Sequence, residues 1–333
     1  MTDPRSERSG EPLIGHSGEP LIGHSGEPLI RHSGEPLIRH SGEPLIELRG
    51  ATKRFPGTNG GIHTAVRDLN FTVAPGEFVA VVGPTGCGKS TTLALVSGLE
   101  PASAGRTLVR GKDVRGIPYG VGYMFQQDAV LPWKSVLDNV ALGPEFRGVS
   151  KKQARERAAE WVRTVGLAGF EGYYPHQLSG GMRKRVSLAQ TLVNNPEIIL
   201  MDEPFSALDV QTRQLMQDEL LRVWSGTGGA SDGPGGGSPR NHGGTRERRE
   251  EGRAAVIFVT HDLEEAIALA DRVVVMTASP ATVCGDFKVA LERPRNVEQV
   301  RLTEEFRDLY KEIWETLRDQ VDAARKNGAA RVA

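Results

Sequence analysis

An α/β fold is predicted, with a mixed sheet, flanking helices, an antiparallel β edge and a small helical subdomain. Three observations predict it. Short apolar runs of strand length (Phe78-Val79-Ala80-Val81-Val82, Ile198-Ile199-Leu200-Met201, Val256-Ile257-Phe258-Val259) recur between longer stretches with helical spacing. Alternation over 65–73, and the segment from Gly105 to Gly116, read as edge strands of a hairpin type. A polar, helical pattern from Val136 to about Leu167 carries Lys151, Lys152, Arg155, Glu156, Arg157 and Glu160 on solvated faces.

Composition bounds the classes. At 333 residues the chain holds one large domain or two modest ones. A net charge of −1 gives no broad attraction to nucleic acid or anionic lipid. Two cysteines, Cys87 and Cys284, make no disulfide framework and fit a reducing compartment. The N-terminus lacks the apolar core of a signal peptide, and no apolar run approaches the roughly 20 residues of a membrane helix. The expectation is a soluble, intracellular chain.

Taken in order, residues 9–48 are five tandem copies of an eight-residue unit, first seen as Ser9-Gly10-Glu11-Pro12-Leu13-Ile14-Gly15-His16. Every copy carries Pro and Gly, so neither helix nor strand propagates, and a disordered tail is expected. No Cys or paired carboxylate joins His16, His24, His32 and His40, so they do not read as a metal site. The last copy runs into a first strand ending near Phe55. A strand over 65–73 and the turn Ala74-Pro75-Gly76-Glu77 follow.

Gly83-Pro84-Thr85-Gly86-Cys87-Gly88-Lys89-Ser90, with Thr91 after it, fits G-x-x-x-x-G-K-[ST] between a strand and a helix. Glycines let successive N–H groups turn inward, and the helix N-terminus adds partial positive charge. Lys89 reaches the β- and γ-phosphates and the Ser90 hydroxyl suits Mg²⁺. The fold class is therefore a P-loop NTPase core. Cys87, at a helix N-terminus where a thiolate is favoured, reads first as a small residue that fits; a lesser hypothesis is sensitivity to thiol reagents unless ATP is bound.

Further along, Gly122-Tyr123-Met124-Phe125-Gln126-Gln127 reads as a strand ending in amides, followed by Leu131-Pro132-Trp133. Leu178-Ser179-Gly180-Gly181-Met182 opens a helix through Leu192. The apolar run at 198 ends in adjacent carboxylates, Asp202 and Glu203, whose side chains diverge on a strand. Ser206-Ala207-Leu208-Asp209 opens a helix to about Trp224. Residues 225–253 are Gly-rich and then charged, which reads as a flexible insertion. A strand into Thr260-His261-Asp262, a helix over 263–270, and a strand over 272–276 complete the core. Phe306, Leu309, Tyr310, Ile313, Trp314 and Leu317 form a helical packing stripe.

The phosphate loop, Gln126, the Leu178-to-Met182 run, the Asp202–Glu203 pair and His261, in this order, resemble the ATP-binding subunit of ABC transporters over roughly 44–280. The resemblance implies ATP and Mg²⁺ as cofactors. Residues 83–91 would hold the phosphates and Phe55 would stack on adenine. Ser90 and Asp202 would attend Mg²⁺, and Gln126 would attend Mg²⁺ or the water and link the nucleotide to the helical subdomain that touches the permease. Glu203 would be the general base and His261 would donate to the γ-phosphate. Ser179, Gly180 and Gly181 would close on the ATP of the opposite subunit, making a likeness-implied homodimer, and Asp209 would lie in the loop crossing its interface. Met182 replaces the glutamine commonest there.

The domain plan follows: disordered repeats over 1–43, an ABC ATPase domain over 44–285 with a helical subdomain at about 127–180, and a C-terminal helical tail over 286–333. The details around Met182-Arg183 and Leu131-Pro132-Trp133 look like the nitrate/sulfonate/taurine importer branch. That branch implies an integral-membrane permease, an external substrate-binding protein, no nucleic acid, and a peripheral place on the cytoplasmic face of the membrane. An exporter subunit is the alternative. A soluble ABC-type ATPase acting on nucleic acid or ribosomes is disfavoured by the single cassette and the lack of heptads or a basic face.

Overall fold

The computed structural model describes residues 42–57, 60–206, 208–226 and 253–332. The repeats up to Ser41, with their histidines, and residues 227–252 of the expected insertion lie outside the described residues. Among the described residues, ten strands build two sheets. One is antiparallel, in the order β2 (Ile62–Val73), β1 (Ile46–Pro56), β4 (Ala104–Val109), β5 (Lys112–Asp113). The other runs β10 (Val283–Lys288), β9 (Arg272–Met276), β3 (Phe78–Val82), β8 (Ala255–Val259), β7 (Ile198–Asp202), β6 (Val121–Met124). All its neighbours are parallel except β10, which pairs antiparallel with β9.

The central strands read as unbroken apolar runs because both of their faces are covered. Along β3, Phe78, Ala80 and Val82 enter one core, and Val79 and Val81 enter the other. The second core lies between the two sheets and encloses Leu93, Leu95 and Val96 of α1 (Lys89–Ser97). The first core is roofed by α2 (Val136–Phe146), α3 (Lys151–Thr164), α4 (Gly180–Leu192), α5 (Val210–Gly226), α6 (Leu263–Leu269), α7 (Val297–Val300) and α8 (Glu304–Val332). Phe306, Ile313 and Leu317 of the predicted stripe are buried there, Leu309 and Tyr310 pack against its margin, and Trp314 stays exposed.

Helix α1 stops at Gly98, which takes φ 73°. A Cβ at this position would lie 2.0 Å from the Gly116 carbonyl oxygen, so no other residue fits the close approach. The helical pattern over 136–167 resolves into two helices. Gly148 turns the chain at φ 84°, and the Ser150 hydroxyl caps α3 by accepting from Gln153 N–H.

Two strands end earlier than their sequence pattern predicts. Strand β6 stops at Met124, because the carbonyls of Phe125 and Gln126 accept from the Lys184 ammonium instead of continuing along the sheet. Strand β7 stops at Asp202, because Glu203 adopts φ 44°. Among the described residues, no helix is long and apolar enough to cross a membrane.

Candidate functional site

The loop between β3 and α1 lies at the carboxyl ends of the parallel strands, where open α/β sheets take their ligands. Gly88 has φ 124°, and a Cβ there would come within 2.8 Å of Val66 Cγ1 and 2.9 Å of the Ala65 carbonyl oxygen. The loop therefore presses directly on β2. The buried Lys89 ammonium donates to the carbonyls of Gly83 (2.9 Å) and Pro84 (3.0 Å), closing the loop into a ring around its charge.

Beside it, Ser90 Oγ donates to Asp202 Oδ1 over 3.1 Å. Burial raises the Asp202 pKa above the ordinary carboxylate value. The Ser90 hydrogen bond opposes the rise, Glu203 adds to it, and the positive charges of Lys89 and Lys184 oppose it again. Burial, helped by the Asp202 charge, likewise raises the Tyr123 phenol. The Ser90–Asp202 pair offers two hard oxygen donors side by side, a donor set that fits Mg²⁺.

Three neighbouring strands each deliver one further group. Glu203 follows β7, Gln126 follows β6 and His261 follows β8. Gln126 Nε2 donates to Glu203 Oε2 at 3.2 Å, and His261 Nδ1 lies 3.3 Å from the same oxygen. The left-handed backbone at Glu203 is a strained conformation for a side-chain-bearing residue, costing about 1–3 kcal/mol. It is held by Glu203 N–H donating to the Val259 carbonyl and by Ser206 donating to the Glu203 carbonyl. From this backbone the carboxylate meets Gln126 and His261. Such a cluster can take a proton from a water and hold the resulting charge.

Beneath His261, Thr260 Oγ1 donates to the buried Glu265, which also accepts from Gln217. Sequence reading passed over Glu265. It also passed over Lys184, although helical spacing places Lys184 with Leu188, Thr191 and Leu192 on the inward face of α4.

Phe55 is half-buried at the end of β1, with the Lys53 ammonium 5.0 Å from its ring centroid. It pairs with His63, while Lys53 pairs with Val66, the residue against Gly88. Ser179 caps α4 by accepting from Met182 N–H at 3.2 Å. Ser179 and Gly180 are exposed, and Gly181 sits against Thr212 and Leu208. Among the described residues, no hydrogen bond ties Ser179, Gly180 or Gly181 to residues 83–91. Asp209 caps α5 by accepting from Thr212 N–H, which lowers its pKa.

Cys87 is 1% exposed, and burial raises its thiol pKa despite the opposing charge of Lys89, which favours a small residue that fits the loop over a reactive thiol.

A phosphate loop closed around a lysine, at the mouth of a parallel sheet, defines a P-loop nucleotide hydrolase. The family model described as ABC transporter matches residues 66–206. An uncharacterized ABC transporter ATP-binding protein of Methanocaldococcus jannaschii is 42% identical over 79% of this chain and 88% of its own length. The taurine import ATP-binding protein TauB of Rhizobium johnstonii is 38% identical over 75% and 87%. A dimeric ATP-binding cassette solved in a post-hydrolysis state with ADP and Pi superposes with a TM-score of 0.60 at 27% identity, covering 74% of this chain and all of that one. The chain belongs to the ATP-binding subunits of ABC transporters and is an ATPase.

Proposed function

We propose that this chain powers uptake of a small solute as the ATP-hydrolysing subunit of an ABC importer. It sits on the cytoplasmic face of the membrane against a permease that an external binding protein supplies. Similarity to a taurine import subunit supports the direction and the solute class.

The observation that carries the hydrolytic reading is the meeting of Gln126 and His261 on one oxygen of Glu203. In this reading Glu203 polarises the attacking water and His261 donates to the γ-phosphate as charge develops. Residues 83–91 and Lys89 hold the phosphates, and Phe55 packs on adenine. Ser90, Asp202 and Gln126 hold Mg²⁺, which when bound neutralises phosphate charge. The exposed start of α4 closes a partner's site. Ser179, Gly180 and Gly181 lie at the positive end of a 13-residue helix, and two copies would sandwich two ATPs head to tail; a dimeric cassette relative supports the pairing of two copies.

The permease would dock at the groove around Gln126–Val136, where Trp133 exposes its ring. A cleft of about 270 Å³ along β6, lined by Tyr123, Phe125, Ala129, Arg147, Gln190 and Asn194, shares Ala129 with that stretch.

Glu203→Gln tests the reading. It should bind ATP, turn over at least ~100-fold more slowly and accumulate as an ATP-bound dimer on size exclusion, whereas Lys89→Ala should weaken binding itself. Wild-type hydrolysis by Glu203→Gln would sink the carboxylate assignment.

A further inference from the structure

Lys184 is 3% exposed, in the second turn of α4, four residues beyond Gly180. A buried lysine must spend its three N–H donors on partners, since an unpaired buried ammonium is costly. Those partners lie in one place. Lys184 Nζ donates to the Phe125 carbonyl at 3.2 Å and to the Gln126 carbonyl at 2.5 Å, and the Asp128 carboxylate is 3.5 Å away. The neighbouring Arg183 repeats the link, donating to Asp128 at 3.2 Å and to the Leu178 carbonyl at 2.9 Å. The peptide groups on either side of Gln126 are thus fastened to the helix that begins at the exposed Ser179-Gly180-Gly181 turn.

We propose that Lys184 is a positioning residue that holds Gln126 against Glu203. The inference rests on the hydrolytic reading of Gln126 and Glu203. Lys184 touches neither nucleotide nor water; its charge is felt at Asp202, and its hydrogen bonds hold the backbone at 125–126. Because that backbone has left the sheet, the clamp replaces the ladder bonds that would otherwise fix it. Glu203 is held separately, its N–H donating to the Val259 carbonyl at the end of β8, so the Lys184 clamp fixes the Gln126 side of the contact alone.

A double-mutant cycle on the full-length chain tests this, using steady-state ATPase and ATP binding. Gln126→Ala should lower kcat at least tenfold. Lys184→Met should lower kcat comparably while leaving KM for ATP within about twofold, and the double variant should match Gln126→Ala within about twofold. Lys184→Gln, which keeps a donor, should recover part of the lost turnover. It also takes the place of Lys184→Met in the cycle if that variant does not fold.

Losses that multiply in the double variant, or a Lys184 variant that changes KM and melting temperature but not kcat, would overturn the proposal. Unchanged turnover in Gln126→Ala alone would instead remove the hydrolytic reading on which it stands.

Discussion

Ser90 and Asp202 lie 112 residues apart in the chain, yet the Ser90 hydroxyl donates to the Asp202 carboxylate across 3.1 Å. The contact joins the first residue after the phosphate-loop lysine to the last residue of β7. It depends on β8 lying between β3 and β7, so that both side chains emerge at the same end of the sheet.

That pair predicts how the ATPase responds to metal. Asp202→Asn keeps the shape and the Ser90 contact but removes the charge, leaving one anionic oxygen fewer for a hard cation. The Mg²⁺ concentration for half-maximal ATPase should rise at least tenfold, while binding of metal-free ATP stays within about threefold. Titration of activity against Mg²⁺, beside nucleotide binding in EDTA, measures both. An unshifted Mg²⁺ midpoint would remove Asp202 from the metal-binding set.

The ends of the long insertion are already joined. Trp224 is buried near the end of α5, and its indole N–H donates to the Ala254 carbonyl at 2.7 Å. Arg253 and Arg293 lie over the same ring at 4.8 and 4.5 Å. Trp224, whose ring also packs against Phe78 of β3, and Ala254 therefore meet on either side of residues 227–252. Replacing them with a four-residue Gly/Ser linker should leave ATPase within twofold. It should also raise stability by about 1 kcal/mol, since a shorter loop costs less to close. Denaturant unfolding and steady-state turnover together check this. A large loss of activity would mean that the segment serves the site.

Much of this site was readable because its chemistry is local. The phosphate loop needs only a strand, its glycines and Lys89 in sequence, and the apolar runs of β3, β7 and β8 show through unchanged as strands covered on both faces. What stayed hidden depends on contacts between distant segments. The pattern over 122–127 suggests a strand to its end, but Lys184, nearly 60 residues on, withdraws the Phe125 and Gln126 carbonyls from the sheet. Adjacent carboxylates suggest diverging strand side chains, whereas the left-handed turn at Glu203 aims one of them at His261. At Cys87 the sequence offers a small residue that fits or a reactive thiol, and the burial that favours the first is set by packing that the sequence does not display.

A pH signature should come from the buried Arg272, far from the phosphates. Arg272 Nε lies 2.9 Å from Glu77, its Nη1 donates to Asp286 at 3.1 Å, and it also reaches the Thr72 carbonyl, tying β9, β10 and β2 together. Burial pushes the Asp286 pKa up to about 6 from its model-peptide range, and Arg272 only partly offsets this while Glu77 adds to it. An acid whose pKa is higher when folded binds more protons in the native state between the two values. Its contribution to stability is therefore largest at low pH and is lost as pH rises to about 6. Asp286→Asn cannot titrate and leaves Arg272 its bonds to Glu77 and Thr72. The stability of wild type relative to this variant should rise by about 2–3 kcal/mol as pH falls from 7.5 to 4. Urea unfolding of both proteins at several pH values measures the difference directly, with every other titrating group common to the two. A gap that stays constant with pH would mean that Asp286 keeps an ordinary carboxylate pKa, held down by Arg272 despite its burial.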